Sequence, residues 1–455
     1  MPIPQCAESR ARPAASGSSG APCPLRRCSS LAAAAPTYAL TVRRSSLRVR
    51  WSSGSVSRGV RVMMLLLGSA CSYLTLAGAT ALPSPSCMLN NESCPIPRGW
   101  VADWSMVNST AIMAIGARGY SPDGFDPVHR WGYVTLDWST GWKQWIGTSS
   151  SADPAKTTCE ATSSANCVRL KEAGKVKRCG IYHNMELSLQ WLESERAVMD
   201  EEHVKAGWFL RYPNGTVFDK KQHVQQSRVN MSQWIIDWRN QDAADYFVEA
   251  ILNSTFLPGV DATFTDDLPG VPAEHPEVQP ATQLSNSSLA HLQRATQSAE
   301  MALASALAIN GKFCWDCVGG EDGPKGSSYS MNQQAPPNNT AGCVQWFHHF
   351  CKPEMQGRGM MMGFAPNQPS PNETVAAFLI ARGPYAFIGG RGLRDSHEGD
   401  WHPLFGLDVG QPIGLCAETS ENTFERSWSR GQVSFDCSTY KASLDFEMLP
   451  ASELH

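Results

Sequence analysis

Between residues 130 and 400 the chain repeats one pattern: a short apolar, β-branched or aromatic run, then a longer stretch with apolar positions at near-helical spacing. The short runs are YVTLDW (133–138), CGIYHN (179–184), GWFLRY (207–212), WIIDWRN (234–240), DATFTDD (261–267), KFCWDCV (312–318), MMMGFA (360–365) and YAFIGG (385–390). The longer stretches at 186–204, 241–256, 288–310 and 372–383 read as helices. Eight strand-like runs alternating with helices predict an α/β fold, a (β/α)8 TIM barrel over residues 130–400. Residues 83–129 then form an N-terminal extension. Residues 401–455 change character to short strands and turns, which predicts a small C-terminal β appendage packed on the barrel and tied by Cys416 and Cys437.

The first 82 residues stand apart. Positions 1–62 are rich in Arg, Ser, Ala and Pro, the composition of a disordered leader or of a gene-model extension. Residues 63–82 follow as an apolar run ending in Ala79-Thr80-Ala81, which predicts a signal peptide cleaved near Ala81, with a membrane anchor as the rival reading. Residues 1–82 hold ten arginines and one acid, so the remaining chain carries 28 basic against 41 acidic residues, a poor surface for nucleic acid.

Two further patterns favour export and a secreted protein. Sequons suited to N-linked glycans occur at Asn91, Asn108, Asn214, Asn230, Asn253, Asn286, Asn338 and Asn372. The cysteines beyond residue 82 fall into close pairs, Cys87/Cys94, Cys159/Cys167, Cys314/Cys317, Cys343/Cys351 and Cys416/Cys437, which predicts disulfides and leaves Cys179 as a buried free thiol. The C-x-x-C at 314–317 and the nearby His348 and His349 offer a metal alternative, but no second C-x-x-C completes a zinc site.

Candidate chemistry sits where the strand-like runs end. In a parallel barrel these ends converge on one mouth, and here they bear Asp137, Trp138, Tyr182, Asn184, Glu186, Arg211, Asp237, Arg239, Asp266, Asp267, Trp315 and Asp316. Cleavage of a glycosidic bond uses two carboxyl groups, one giving a proton to the leaving oxygen and the other attacking the anomeric carbon or activating water. Adjacent strand residues point to opposite faces, so Asp266 and Asp267 cannot form that pair by themselves. Asp266 is the expected nucleophile or base, Asp267 its support, and Asp316 on the next run the expected acid. Asp137, Glu186, Asp237 and their polar neighbours would bind hydroxyls, while Trp138 and Trp315 offer flat faces to sugar rings. No G-x-S-x-G, H-E-x-x-H, Walker loop or post-strand G-x-G-x-x-G is present.

The succession YVTLDWST, CGIYHNMELSLQWLESERAVM, GWFLRY, IIDWRNQDAADYFVEAIL and DATFTDDLPGVPAEH, with the closing FERSWSRGQVSFDC, resembles glycoside-hydrolase-like TIM-barrel proteins of algae, oomycetes and fungi. These are similar in pattern to barrels of the polygalactosaminidase and α-galactosidase types. The resemblance covers roughly residues 130–440. It implies a barrel acting on an α-linked sugar, with the first catalytic role on Asp266 and no cofactor. Ala262 stands where that pattern often has glycine, and Asp316 where it has Glu.

The preferred expectation is thus a secreted glycosidase with a carbohydrate substrate. Two others compete with it: a catalytically inactive carbohydrate-binding barrel, and a metal-dependent sugar-modifying enzyme using Asp266, Asp267 and His183 or His275.

Overall fold

The computed structural model describes residues 97–114, 127–138, 140, 159–220, 232–267, 271, 275–316, 335–356, 360–364, 370–390 and 401–454. The leader, the signal segment, Asn91, Asn230, Cys87, Cys94 and Cys317 lie outside them.

Seven parallel strands form the main sheet: β1 (Thr110–Ala114), β2 (Trp131–Leu136), β3 (Val176–Asn184), β6 (Ala262–Asp266), β7 (Phe313–Asp316), β8 (Met360–Phe364) and β9 (Ala386–Gly390). Between β3 and β6 a short ribbon intervenes, made of β4 (Leu187–Leu189) and β5 (Gln233–Ile235). The sheet order is β7-β6-β3-β2-β1-β9-β8, so chain order runs round the sheet and the last strand, β9, returns to pair with the first.

This sheet is curled. β7 and β9 are five strand spacings apart, which in a flat sheet means ~24 Å. Yet the rings of Phe313 on β7 and Phe387 on β9 stack with centroids 5.9 Å apart. Tyr133 on β2 meets both rings, at 4.9 and 5.8 Å. Residues of one phase, Ala111, Met113, Tyr133, Tyr182, Phe264, Phe313, Trp315, Met361 and Phe387, pack together inside the curl. Residues of the other phase, among them Ile112, Val134, Leu136, Ile181, Met362 and Ile388, pack outside it against helices. Trp100 seals the end where the strands begin, meeting Phe313 edge to face with ring centroids 4.8 Å apart and donating its indole N–H to the Gly311 carbonyl.

Six of the eight strand-like runs therefore enter the parallel sheet, joined by Thr110–Ala114 from the expected extension. The other two depart from expectation. GWFLRY makes only isolated bridges, at Phe209 and Arg211, and WIIDWRN supplies β5 of the antiparallel ribbon. Among the described residues no strand joins β7 to β8.

Helices at Gln241–Thr255, Asn286–Ile309 and Pro371–Ala381 match the periodic stretches, and the first is capped by Asn240, which accepts from Asp242 and Ala243 N–H. The expected helix at 186–204 is instead β4 and two short helices, Glu193–Arg196 and Glu201–Lys205. Asn184 causes the break: its Oδ1 accepts from Glu186 N–H and Leu187 N–H, and the chain then leaves to pair with β5.

The C-terminal residues form an antiparallel meander of β10 (Ala417–Ser420), β11 (Thr423–Trp428), β12 (Gly431–Asp436) and β13 (Lys441–Phe446). Helix Pro371–Ala381 is buried along nearly its whole surface because it lies between β8 and this meander. Arg426 of β11 caps that helix, donating to the carbonyls of Ile380, Arg382 and Gly414. Burial lowers the Arg426 guanidinium to about 10; burial and then the charge of Arg426 lower Arg382 to about 9.

Among the described residues the disulfides are Cys167–Cys179, Cys343–Cys437 and Cys351–Cys416, and Cys159 is free and buried, so the expected pairs 159/167, 343/351 and 416/437 are not formed, while the pairs 87/94 and 314/317 include residues outside the described ones. Cys179 is thus bonded, and the meander is stapled to helix Thr340–Phe350 and the turn after it, not within itself. For Cys343–Cys437 and Cys351–Cys416 close spacing failed as a guide because partners 94 and 65 residues apart meet through packing between distant elements. No helix among the described residues is long and apolar enough to cross a membrane.

Candidate active site

All strands of the main sheet run the same way, so Asp137, Asn184, Asp266 and Asp316 emerge at one edge. Asp266 shares its phase with Phe264, and its cross-strand partner is Asn184. A chain of hydrogen bonds fixes the chemistry here. Asn184 Oδ1 accepts two backbone N–H groups, so the amide orientation is set and Nδ2 must donate. Its two protons go to Tyr182 Oη at 3.1 Å and Asp267 Oδ2 at 2.7 Å. The Tyr182 oxygen accepts there, so its own proton goes to Asp266 Oδ2, 2.7 Å away. Asp266 Oδ1 accepts the N–H of Asp267 at 2.9 Å. Both oxygens of Asp266 act as acceptors, the arrangement that suits an ionised carboxylate. Burial first, then the negative charges of Asp266 and Asp267, hold the Tyr182 phenol well above its usual range, so the proton stays on tyrosine.

Asp267 turns the chain out of the sheet in the left-handed region, with φ of 60°. Its carboxylate faces a charged group behind Asp266. His275 Nε2 lies 3.3 Å from Asp267 Oδ2 and 3.0 Å from Glu186 Oε2, and Lys220 Nζ lies 3.3 Å from the same nitrogen. Burial pushes the Asp267 carboxyl up, but hydrogen bonds from His275 and Asn184 hold it below the usual carboxylate range. Burial raises Glu186 to about 7 against the opposing pull of His275. Burial lowers His275, and its bonds to Asp267 and Glu186 outweigh this, setting it at about 9. Glu186, Asp267 and His275 are also the one group among the described residues with three ligand atoms close enough to share a metal ion.

The remaining expected residues are more scattered. Asp137 is buried beyond β2, its N–H donating to the Ala114 carbonyl. Trp138 packs on Trp191, ring centroids 5.8 Å apart. Arg211 is exposed beside the turn at 212–216. Asp237 and Arg239 pair with each other through two bonds of 2.8 and 2.7 Å, so Arg239 is not the counter-ion of Asp266. Trp315 is 1% exposed and spends its faces on Tyr133 and Phe264, so it presents no open platform to a sugar. Asp316 ends β7 opposite Thr265, but its side chain lies outside the described residues.

Of the two histidines considered, His275 reaches Asp267 and His183 does not. His183 is wholly buried between Glu195 Oε1 at 3.2 Å and Ser254 Oγ at 2.6 Å. This mimics a Ser-His-Glu triad, but the Ser254 hydroxyl donates to the Ile251 carbonyl inside helix Gln241–Thr255, so it accepts from His183 and is no nucleophile. Lys220 is a member of the charged group that the sequence does not reveal; nothing in its local pattern marks it, since its neighbours in the site come from the segments after β3 and after β6.

No family model and no curated protein matches the sequence. Solved structures to which it is similar include glycoside hydrolases. One is a GH31 family sulfoquinovosidase from E. rectale, at 12% identity over 70% of this chain and 49% of the other, TM-score 0.37. A GH36 α-galactosidase from Geobacillus stearothermophilus is 13% identical over 76% and 47%, TM-score 0.31. A maltogenic α-amylase from Thermotoga neapolitana is 11% identical over 73% and 87%, TM-score 0.35. The chain spans about half the length of the first two.

Proposed function

We propose that the protein is a secreted glycoside hydrolase acting on an α-linked oligo- or polysaccharide, with Asp266 as the nucleophile or general base. The observation that carries this reading is the oriented chain from Asn184 through Tyr182 to Asp266, which leaves the carboxylate an acceptor on both oxygens at the edge where the parallel strands end. A base or nucleophile needs that state, and a proton donor does not. The acid is a second carboxyl group, for which Asp316, at the end of the neighbouring strand and in register with Thr265, remains the candidate read from the sequence. Support for export comes from the apolar segment at 63–82 and from the sequons, of which Asn214, Asn253, Asn286, Asn338 and Asn372 are exposed.

The inactive carbohydrate-binding reading would be favoured by Asp266 neutralised by Arg239, and Arg239 is committed to Asp237 instead. The test is reducing-end release from α-linked galactose, galactosamine and glucose polymers by the wild-type chain beside Asp266→Asn. Release by the wild type alone supports the proposal. Equal release by both removes Asp266 from the mechanism, and none by a folded wild type on any polymer supports the binding reading.

A further inference from the structure

We propose that Glu186, Asp267 and His275 form a divalent-cation site for which Lys220 competes. The donor set is one imidazole nitrogen and two carboxylates, a mixture that suits Mn²⁺ or Zn²⁺. Ligands bonded to one such ion at about 2.1 Å stand ~3.0 Å apart at an octahedral edge and ~3.4 Å apart at a tetrahedral one. His275 Nε2 is 3.0 Å from Glu186 Oε2 and 3.3 Å from Asp267 Oδ2, and all three ligand atoms lie within 4.8 Å of one another.

A second observation points the same way. Glu186 is 2% exposed, and its Oε2, which faces the cluster, meets no donor but the His275 ring nitrogen 3.0 Å away. A buried carboxylate oxygen held by that single contact is exchanged at little cost from the imidazolium to a bound metal ion. Asp267 is the more open ligand, with 21% of its side chain exposed, so coordination positions facing the solvent side stay free for water or for substrate hydroxyls.

Lys220 supplies the rival cation. Its ammonium lies 3.3 Å from His275 Nε2, close enough to the carboxylates to lower the Asp267 carboxyl by its charge. An ion bridging the three ligands must push that ammonium aside, which weakens binding in the wild type and makes Lys220 the residue that sets affinity.

The test is calorimetric titration of the chelator-treated, dialysed full chain with Mn²⁺ and with Zn²⁺, metal per chain being counted by mass spectrometry. The expected result is one ion per chain, affinity at least thirtyfold weaker in His275→Gln and Asp267→Asn, and about tenfold tighter in Lys220→Met. Circular dichroism melts identify any variant that fails to fold, and Lys220→Met keeps the test decisive because it reads a gain. Failure of both the wild type and Lys220→Met to bind one ion overturns the proposal, as does unchanged binding in a folded His275→Gln. Metal counting is independent of hydrolysis, and Asp266→Asn, which keeps all three ligands, is expected to bind as the wild type does. The cation site and the hydrolase reading can therefore fail separately.

Discussion

The Tyr182 hydroxyl donates to Asp266 Oδ2 across 2.7 Å, and its direction is dictated by Asn184, whose amide already donates to the tyrosine oxygen. Charge-assisted bonds of this kind are worth about 1.5–3 kcal/mol. Tyr182→Phe is expected to lower kcat on a cleaved substrate by about 10- to 100-fold with KM changed little, because the bond sets the state of Asp266 and not the grip on sugar. Steady-state kinetics check this; an unchanged kcat would show that Tyr182 is only packing.

Non-reducing peptide mapping is expected to recover Cys343–Cys437, Cys351–Cys416 and Cys167–Cys179 linked peptides. The first closes 94 residues of sequence, so Cys437→Ser should lose about 2–4 kcal/mol in denaturant unfolding. Recovery of 343–351 and 416–437 pairs would contradict the docking of the meander on helix Thr340–Phe350.

Tyr133 lies across β3 at Gly180, where an added Cβ would stand 2.2 Å from the tyrosine oxygen. Gly180→Ala is therefore expected to cost about 1–3 kcal/mol of stability by overpacking. The double variant with Tyr133→Phe, which removes that oxygen, should be less destabilised than the two single changes summed. Simple additivity in chemical denaturation would place the strain elsewhere.

Arg426 holds the meander to the end of helix Pro371–Ala381 through the carbonyls of Ile380 and Arg382, and donates as well to Gly414 in the segment that leads into the meander. Arg426→Met strips their donor and is expected to destabilise by about 3 kcal/mol, with Arg426→Lys recovering only part because an ammonium lacks the planar fork. Calorimetric melts of the two variants check the order.

Much of the fold and part of the site are legible in the sequence, for reasons particular residues show. Phe264 and Asp266 share a strand phase, so alternation along the strand is enough to separate Asp266 from Asp267. The run at 110–114 escaped because TAIMA is buried on both faces, has no alternation to read, and pairs with a strand nearly 280 residues further along. The stretch 186–204 has helical periodicity and yet begins as a strand, since the two backbone bonds to Asn184 and pairing with β5 outweigh propensity. Trp315 read as a sugar platform because it stands beside Asp316; its phase, shared with Phe313, turns it into the curl of the sheet. The charged group at Glu186 is assembled from three stretches of chain, and no local pattern joins Lys220 to it.

The central claim is that Asp266 reacts while Asp267 supports it. The most direct test is kcat/KM for wild type, Asp266→Asn and Asp267→Asn on whichever α-linked polymer the wild type cleaves, with folding checked by circular dichroism. The account predicts a loss of at least about a thousandfold for Asp266→Asn and a smaller loss, about 10- to 100-fold, for Asp267→Asn. An Asp266→Asn variant within tenfold of wild type, or one less damaged than Asp267→Asn, would contradict it.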